Sequence, residues 1–159
     1  MTDAALAKRL GKFSALIRTV LRTPDILGVA EAENLAVLEE FAGIHDYFTL
    51  NKEPDPGATY PPLRSAVTGY TLLADDALPR IWAATVSPGF DSSPYSGSSP
   101  FVIERDDGAV YRQSFESALA AGADWILITT WNEYGENTHI EPSIRYGDLY
   151  TDITREYAD

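Results

Sequence analysis

Apolar positions along this chain recur in two alternating periods. Leu6, Leu10, Phe13 and Ile17 fall at helical spacing, Val20 and Leu21 extend the stripe, and Lys8, Arg9, Lys12, Arg18 and Arg22 fill the opposite face. Pro24 predicts the end of that helix. Residues 25–30 read as a short buried strand. Leu35, Leu38 and Phe41 mark a second helix with Gly43 as its C-cap, and residues 46–50 a second strand. A Pro/Gly-rich turn over 53–57 precedes a helix over about 63–73. Residues 80–86 predict a third strand, followed by a Ser/Gly/Pro-rich loop to Pro100. Tyr111, Phe115, Ala118 and Leu119 predict a helix ended by Gly122, and residues 125–130 a fourth strand. Asp148 stands where it would cap a last helix, whose buried face would be Leu149, Tyr150, Ile153 and Tyr157.

The order is one helix followed by four strand–helix units. Strands that are continuous apolar runs, each followed by a helix, imply an α/β fold with a parallel sheet covered by helices. A complete (β/α)8 TIM barrel takes about 250 residues. The 159 residues here therefore predict a single domain that is either half of such a barrel or a small complete α/β sheet.

One stretch carries chemistry. In Trp125-Ile-Leu-Ile-Thr-Thr-Trp-Asn-Glu-Tyr-Gly-Glu136 the apolar run stops at Trp131, and two carboxylates follow. The C-terminal tip of a parallel strand is where ligands bind in such folds. Two carboxyl groups beside aromatic rings suit cleavage of a glycosidic bond, one as proton donor and one as base or nucleophile. Glu133 and Glu136 are the candidate catalytic residues. Trp131, Asn132, Tyr134 and His139 are candidate substrate-binding residues, joined by Phe90 and Asp91 from the loop after the third strand. Plainer readings stand beside these: two acids on a solvated loop, Trp131 as the last core residue of its strand, His139 as an ordinary loop residue, and residues 87–90 as a turn set by Gly89. Tyr95 lies in a Gly/Ser-rich loop that reads either as a mobile lid or as disordered. Glu141-Pro142 reads as fixing the loop's exit rather than touching substrate, and Glu31 and Glu33, past the first predicted strand, read either as facing the cleft or as a helix N-terminal charge pair.

Charge and composition narrow the ligand. The formal net charge is −12, which argues against nucleic acid or an anionic membrane as partner and fits a neutral or cationic ligand. With no cysteine, disulfides and thiolate metal sites are excluded. No metal or nucleotide motif is visible, so no cofactor is expected. Charges interrupt the N-terminus and no apolar core of a signal peptide follows. No run is long enough to span a membrane. The reading is of a soluble chain, cytoplasmic as it stands, or secreted or periplasmic if a segment precedes it.

The stretch Ile128-Thr-Thr-Trp-Asn-Glu-Tyr-Gly-Glu-Asn-Thr-His-Ile-Glu-Pro-Ser143, with Tyr146-Gly-Asp-Leu-Tyr150, resembles the last strand and loop of glycoside hydrolase family 99. That family's usual pattern is Ile-Thr-Ser-(Phe/Trp)-Asn-Glu-Trp-His-Glu-Gly-Thr-Gln-Ile-Glu-Pro. Residues 84–91 are similar to its segment after the seventh strand, 45–49 to its sixth strand, and 122–126 to its approach to the eighth. The resemblance implies the C-terminal half of a (β/α)8 barrel. It further implies a retaining hydrolase of α-linked mannosides acting within a glycan chain. By resemblance, Glu133 is the base that deprotonates the sugar 2-hydroxyl, which attacks the anomeric carbon to give a 1,2-anhydro sugar. Glu136 is then the general acid and later the general base. The sequence departs from the pattern at Tyr134-Gly135, at Asn137 in place of glycine, and at His139 in place of glutamine. Tyr-Gly is similar to the α-1,3-glucanases of family 71, so that activity stands as an alternative, as does a non-catalytic half-barrel module or fragment. The implied partner is an oligosaccharide or polysaccharide, and half a barrel would self-associate or pair with a missing N-terminal half.

Overall fold

The computed structural model describes residues 43–45, 56–73, 80–95, 97 and 100–158. The two helices and the strand expected before Gly43, and the strand expected over 46–50, lie outside the described residues. Within them the order is β1 (Gly43–His45), α1 (Pro56–Leu73), β2 (Ile81–Val86), β3 (Phe90–Asp91), β4 (Val102–Ile103), α2 (Ala109–Ala120), β5 (Trp125–Ile128) and α3 (Leu149–Glu156). β1, β2 and β5 form a parallel sheet in that order, with β2 at its centre. β3 and β4 form a separate antiparallel pair.

Register explains the burial. Trp82 aligns with Ile44, and Ala84 and Val86 align with Ile126 and Ile128. In a parallel pair, aligned residues point to the same face. These side chains join Tyr60 and Val67 of α1, Tyr111, Phe115 and Ala118 of α2, and Tyr150 and Ile153 of α3 in one core. Edge-to-face ring contacts of Tyr60 with Trp82 and of Tyr111 with Phe115 and Tyr150 fill its centre. The opposite face carries Ala83 and Thr85 of β2, aligned with Trp125 and Leu127 of β5, which are 52% and 38% exposed. Thus β2 reads as a continuous apolar run, whereas β5 alternates.

Asp124 ties the layers together. Its carboxylate accepts the Trp82 N–H at 2.9 Å and an Arg64 N–H at 2.5 Å, and its own N–H donates to the Trp82 carbonyl at 3.0 Å. Burial pushes its pKa up, but the hydrogen bonds from Trp82 and Arg64 outweigh that and lower it. α2 closes as the sequence predicts. Gly122 takes φ +73° with its N–H on the Leu119 carbonyl, and the Ala123 N–H reaches back to Ala118.

Several expectations differ from the structure. Gly43 is not a helix cap but the first residue of β1, and a Cβ there would strike the Ile81 backbone. α1 begins at Pro56, so residues 56 and 57, expected in a turn, are helical. Proline fits a first helical turn, where its missing N–H is not needed. The segment after β2 is not only loop: Phe90 and Asp91 pair with Ile103 and Val102. Leu119, expected in the core, is 52% exposed. Asp148 does precede α3, but its side chain makes no capping bond; its carbonyl instead accepts the Asp152 N–H and the Thr151 hydroxyl. β5 ends at Ile128, two residues earlier than expected. No described helix is long and apolar enough to cross a membrane.

Candidate active site

β2 and β5 point the same way, so their C-terminal ends share one rim. The chain leaves β5 through a loop that is bonded to itself at its base. The Thr130 N–H donates to the Thr138 carbonyl at 3.0 Å, and the Thr130 and Thr138 hydroxyls lie 2.9 Å apart. The Ile140 N–H lies 2.9 Å from the Thr130 carbonyl, and the Glu141 N–H 2.8 Å from that of Trp131. Thr138, His139 and Ile140 are buried beneath, whereas Trp131, Asn132, Glu133 and Tyr134 are exposed at the crest. A loop pinned in this way presents its crest residues on a fixed backbone.

Glu133 and Glu136 both stand on this loop. The Glu133 N–H donates to the Thr130 hydroxyl, and its carboxylate accepts the Gly135 N–H at 3.0 Å. Glu136 is half-buried, and its carbonyl accepts the Asp91 N–H at 2.8 Å. The β3–β4 hairpin is thereby stitched to the carboxylate loop, and Asp91 lies on the same rim as the two glutamates. Asn51, expected there too, lies outside the described residues.

Two of the departures from the family pattern, Asn137 and Gly135, sit where the backbone geometry bears on them. Asn137 adopts φ +52°, in the left-handed region that favours glycine and after it asparagine. Gly135 leaves space on one side, where a Cβ would collide with the Tyr95 hydroxyl and fall 3.0 Å from the Glu133 carboxylate. Tyr95 therefore reaches over the loop from the segment between β3 and β4. The segment's base is closed by Ser92, whose hydroxyl accepts the Phe101 N–H at 2.9 Å.

The aromatic residues divide by exposure. Trp131 is 54% exposed, so it is not the last core residue of its strand. The Tyr134 ring stacks on His139, with centroids 4.1 Å apart, and its hydroxyl donates to the Glu141 carboxylate at 2.7 Å. That bond raises the Tyr134 pKa, and Glu141 acts on the ring's orientation rather than only on the loop's exit. Phe90 packs on Phe101, with centroids 5.9 Å apart. Asp91 accepts the Ser93 N–H at 2.8 Å; its hydrogen bonds from Ser93, and then the charge of Arg145, hold its pKa below the usual carboxylate value. It is suited to fixing a turn and poorly suited to donating a proton.

His139 is only 5% exposed. Burial, and then the neighbouring charge of Arg105, push its pKa down, so the ring is neutral near pH 7. Nη2 of Arg105 lies 3.4 Å from Nδ1. Nε2 has no partner among the described residues. The ring helps line a cleft of about 550 Å³, together with Tyr134, Asn137, Ser143 and Arg145.

Arg105 and Arg145 are the site neighbours that sequence reasoning passed over, and Glu141 it read as fixing the loop's exit. Arginines are ordinarily solvated, and nothing in the local period marks Arg105 as buried. Among the described residues no group of three or more His, Asp and Glu side chains is placed to hold a metal ion.

Comparison with known proteins bears on the family and the fold. Residues 45–154 match the profile of a family described as "Glycosyltransferase WbsX". No curated protein matches the chain. Among solved structures it is similar to the family 99 endo-α-mannosidase of Bacteroides thetaiotaomicron. One structure of that enzyme has 20% identity and a TM-score of 0.61, covering 91% of this chain and 52% of that one. A second has 23% identity and a TM-score of 0.52, covering 82% and 43%. A glycoside hydrolase-like protein aligns at 14% identity with a TM-score of 0.59, over 93% of this chain and 49% of its own. The chain thus spans about half the length of the enzymes whose fold it shares.

Proposed function

Because the chain belongs to the WbsX glycosyltransferase family, with the fold of about half a family 99 glycoside hydrolase, we propose that it is the C-terminal half of a (β/α)8 barrel that cleaves α-linked glycans with retention. The observation that carries this reading is the pinned loop after β5. It carries Glu133 at its exposed crest and the half-buried Glu136 three residues on, with the exposed rings of Trp131 and Tyr134 beside them. Exposed aromatic faces suit the apolar faces of sugar rings, and paired carboxyl groups suit acid–base cleavage of the bond between rings.

In the proposed mechanism Glu133 takes the proton from the sugar 2-hydroxyl while that oxygen attacks the anomeric carbon. Glu136 gives a proton to the departing oxygen. Water then opens the 1,2-anhydro sugar: its oxygen bonds to the anomeric carbon while Glu136 takes its proton, the bond from that carbon to O2 breaks, and Glu133 returns its proton to O2. Trp131, Asn132 and Tyr134 bind the sugar, His139 backs the Tyr134 ring from beneath, and Phe90 and Asp91 shape the wall. An α-mannoside is the proposed substrate.

The family's description favours a second reading for the last step. A sugar hydroxyl in place of water would make the same pair a transglycosylase. Products formed in ¹⁸O-water separate the two, since hydrolysis labels the new reducing end and transfer does not.

The division of labour is tested in a protein that carries this segment within a complete cleft. Glu136→Gln should lower turnover about 10²–10⁴-fold, most with poor leaving groups. Glu133→Gln should depress all substrates alike. Turnover like the wild type in either variant removes that glutamate from the mechanism. The 159 residues alone are expected to show no measurable turnover, because half a cleft does not hold the sugar against these groups.

A further inference from the structure

Arg105 is buried to 4% exposure, and among the described residues no carboxylate forms an ion pair with it. It stands at the end of the β3–β4 hairpin, just before α2. Its guanidinium lies between the rings of Tyr146 and Tyr150, 4.3 Å and 4.4 Å from their centroids. Its donors go to main chain: Nε and Nη2 to the Asn137 carbonyl at 3.2 Å and 2.9 Å, and Nη2 also to the His139 carbonyl at 2.7 Å. Nη1 is buried without a hydrogen-bond partner among the described residues.

Burying a cation without an acid is costly. This one faces the two carbonyls that follow Glu136. Asn137, whose carbonyl takes two of its bonds, is the residue at φ +52°. The Asn137 side chain is held as well, accepting from the Tyr146 hydroxyl at 3.2 Å. The peptide units on the C-terminal side of Glu136 are therefore gripped from beneath by one planar fork, which the two tyrosines hold in place.

We infer that Arg105 is a positioning residue of the carboxylate loop: its fork on the Asn137 and His139 carbonyls sets the direction in which Glu136 leaves the backbone. A lysine is a point donor and does not reproduce the paired bonds. The inference gives Glu136 its place, so its catalytic consequence rests on the function proposed above. The grip itself does not.

The test has two arms. In the first, hydrogen exchange of backbone amides is followed in the 159-residue chain with Arg105→Met and Arg105→Lys. Exchange over residues 131–141 should rise at least about tenfold in the methionine variant and less in the lysine variant. Exchange of the α2 interior should stay unchanged, because a local opening leaves the rest of the fold closed. Unchanged exchange over 131–141, or acceleration spread evenly along the chain, overturns the inference. If the methionine variant fails to fold, the lysine variant decides the same comparison. In the second arm, Arg105→Met is combined with Glu136→Gln in a protein with the complete cleft. The two losses should not add, and the methionine variant alone should lower kcat far more than it changes KM. Additive losses overturn a role exerted through Glu136. Should Glu136→Gln leave turnover intact, the functional proposal falls, while the exchange arm still decides the grip.

Discussion

At the scale of single residues, two backbone positions shape the carboxylate loop. Asn137 sits where left-handed geometry is required, and a side chain without asparagine's local hydrogen bonding is strained there by roughly 1 kcal/mol. Asn137→Gly should therefore be tolerated and Asn137→Val destabilise by about 1–2 kcal/mol, read from urea midpoints at constant slope. His139 makes the loop sensitive to acid. Its pKa is lowered in the folded chain, so the unfolded chain binds the proton more readily. The stabilising effect is present above the ordinary value of 6.5 and is lost as pH falls below it. The melting temperature should decline from pH 7 to about 5.5, and His139→Gln should flatten that decline.

At the scale of elements, Asp124 joins α1, β2 and the start of β5. Asp124→Ala leaves the Trp82 N–H without its side-chain acceptor and should cost about 1–3 kcal/mol. Arg64→Ala removes only a half-exposed ion pair and should cost less than about 1 kcal/mol. Equal losses in thermal unfolding would mean that the ion pair, not the backbone bond, matters. The elements whose burial is regular were legible in advance. β2 and β5 showed as apolar runs, α2 and α3 by Tyr111, Phe115, Tyr150 and Ile153 at helical spacing, and the carboxylates by their place after β5. The β3–β4 pair was not legible, because two-residue strands carry no period and Ser and Gly dominate between them. The start of α1 at Pro56 was hidden because proline followed by glycine reads as a turn whenever tertiary packing is unknown. Arg105 was invisible for a different reason: its environment is made by tyrosines about forty residues away, and no local spacing encodes that.

At the scale of the whole molecule, β5 pairs only with β2 among the described residues, and its outward face carries Trp125 and Leu127. An unpaired edge beside exposed apolar rings favours association. We expect the chain to self-associate in a concentration-dependent way by light scattering, and Leu127→Lys to shift it toward the monomer. A wild-type monomer that unfolds cooperatively at high concentration would instead favour a small complete α/β sheet. The net charge of −12 opposes assembly at low ionic strength, so added salt should strengthen it.

The three tryptophans differ sharply in surroundings: Trp82 is 1% exposed, Trp125 52% and Trp131 54%. The intrinsic emission of this protein is consequently a sum of one dry and two wet indoles. Iodide should quench the red-edge part and spare the blue. A glycan seated at the crest of the carboxylate loop would shield Trp131, and oligomers formed through β5 would shield Trp125. Single Trp→Phe replacements at these two positions thus turn light emission into separate gauges of the molecule's two exposed faces, without a label.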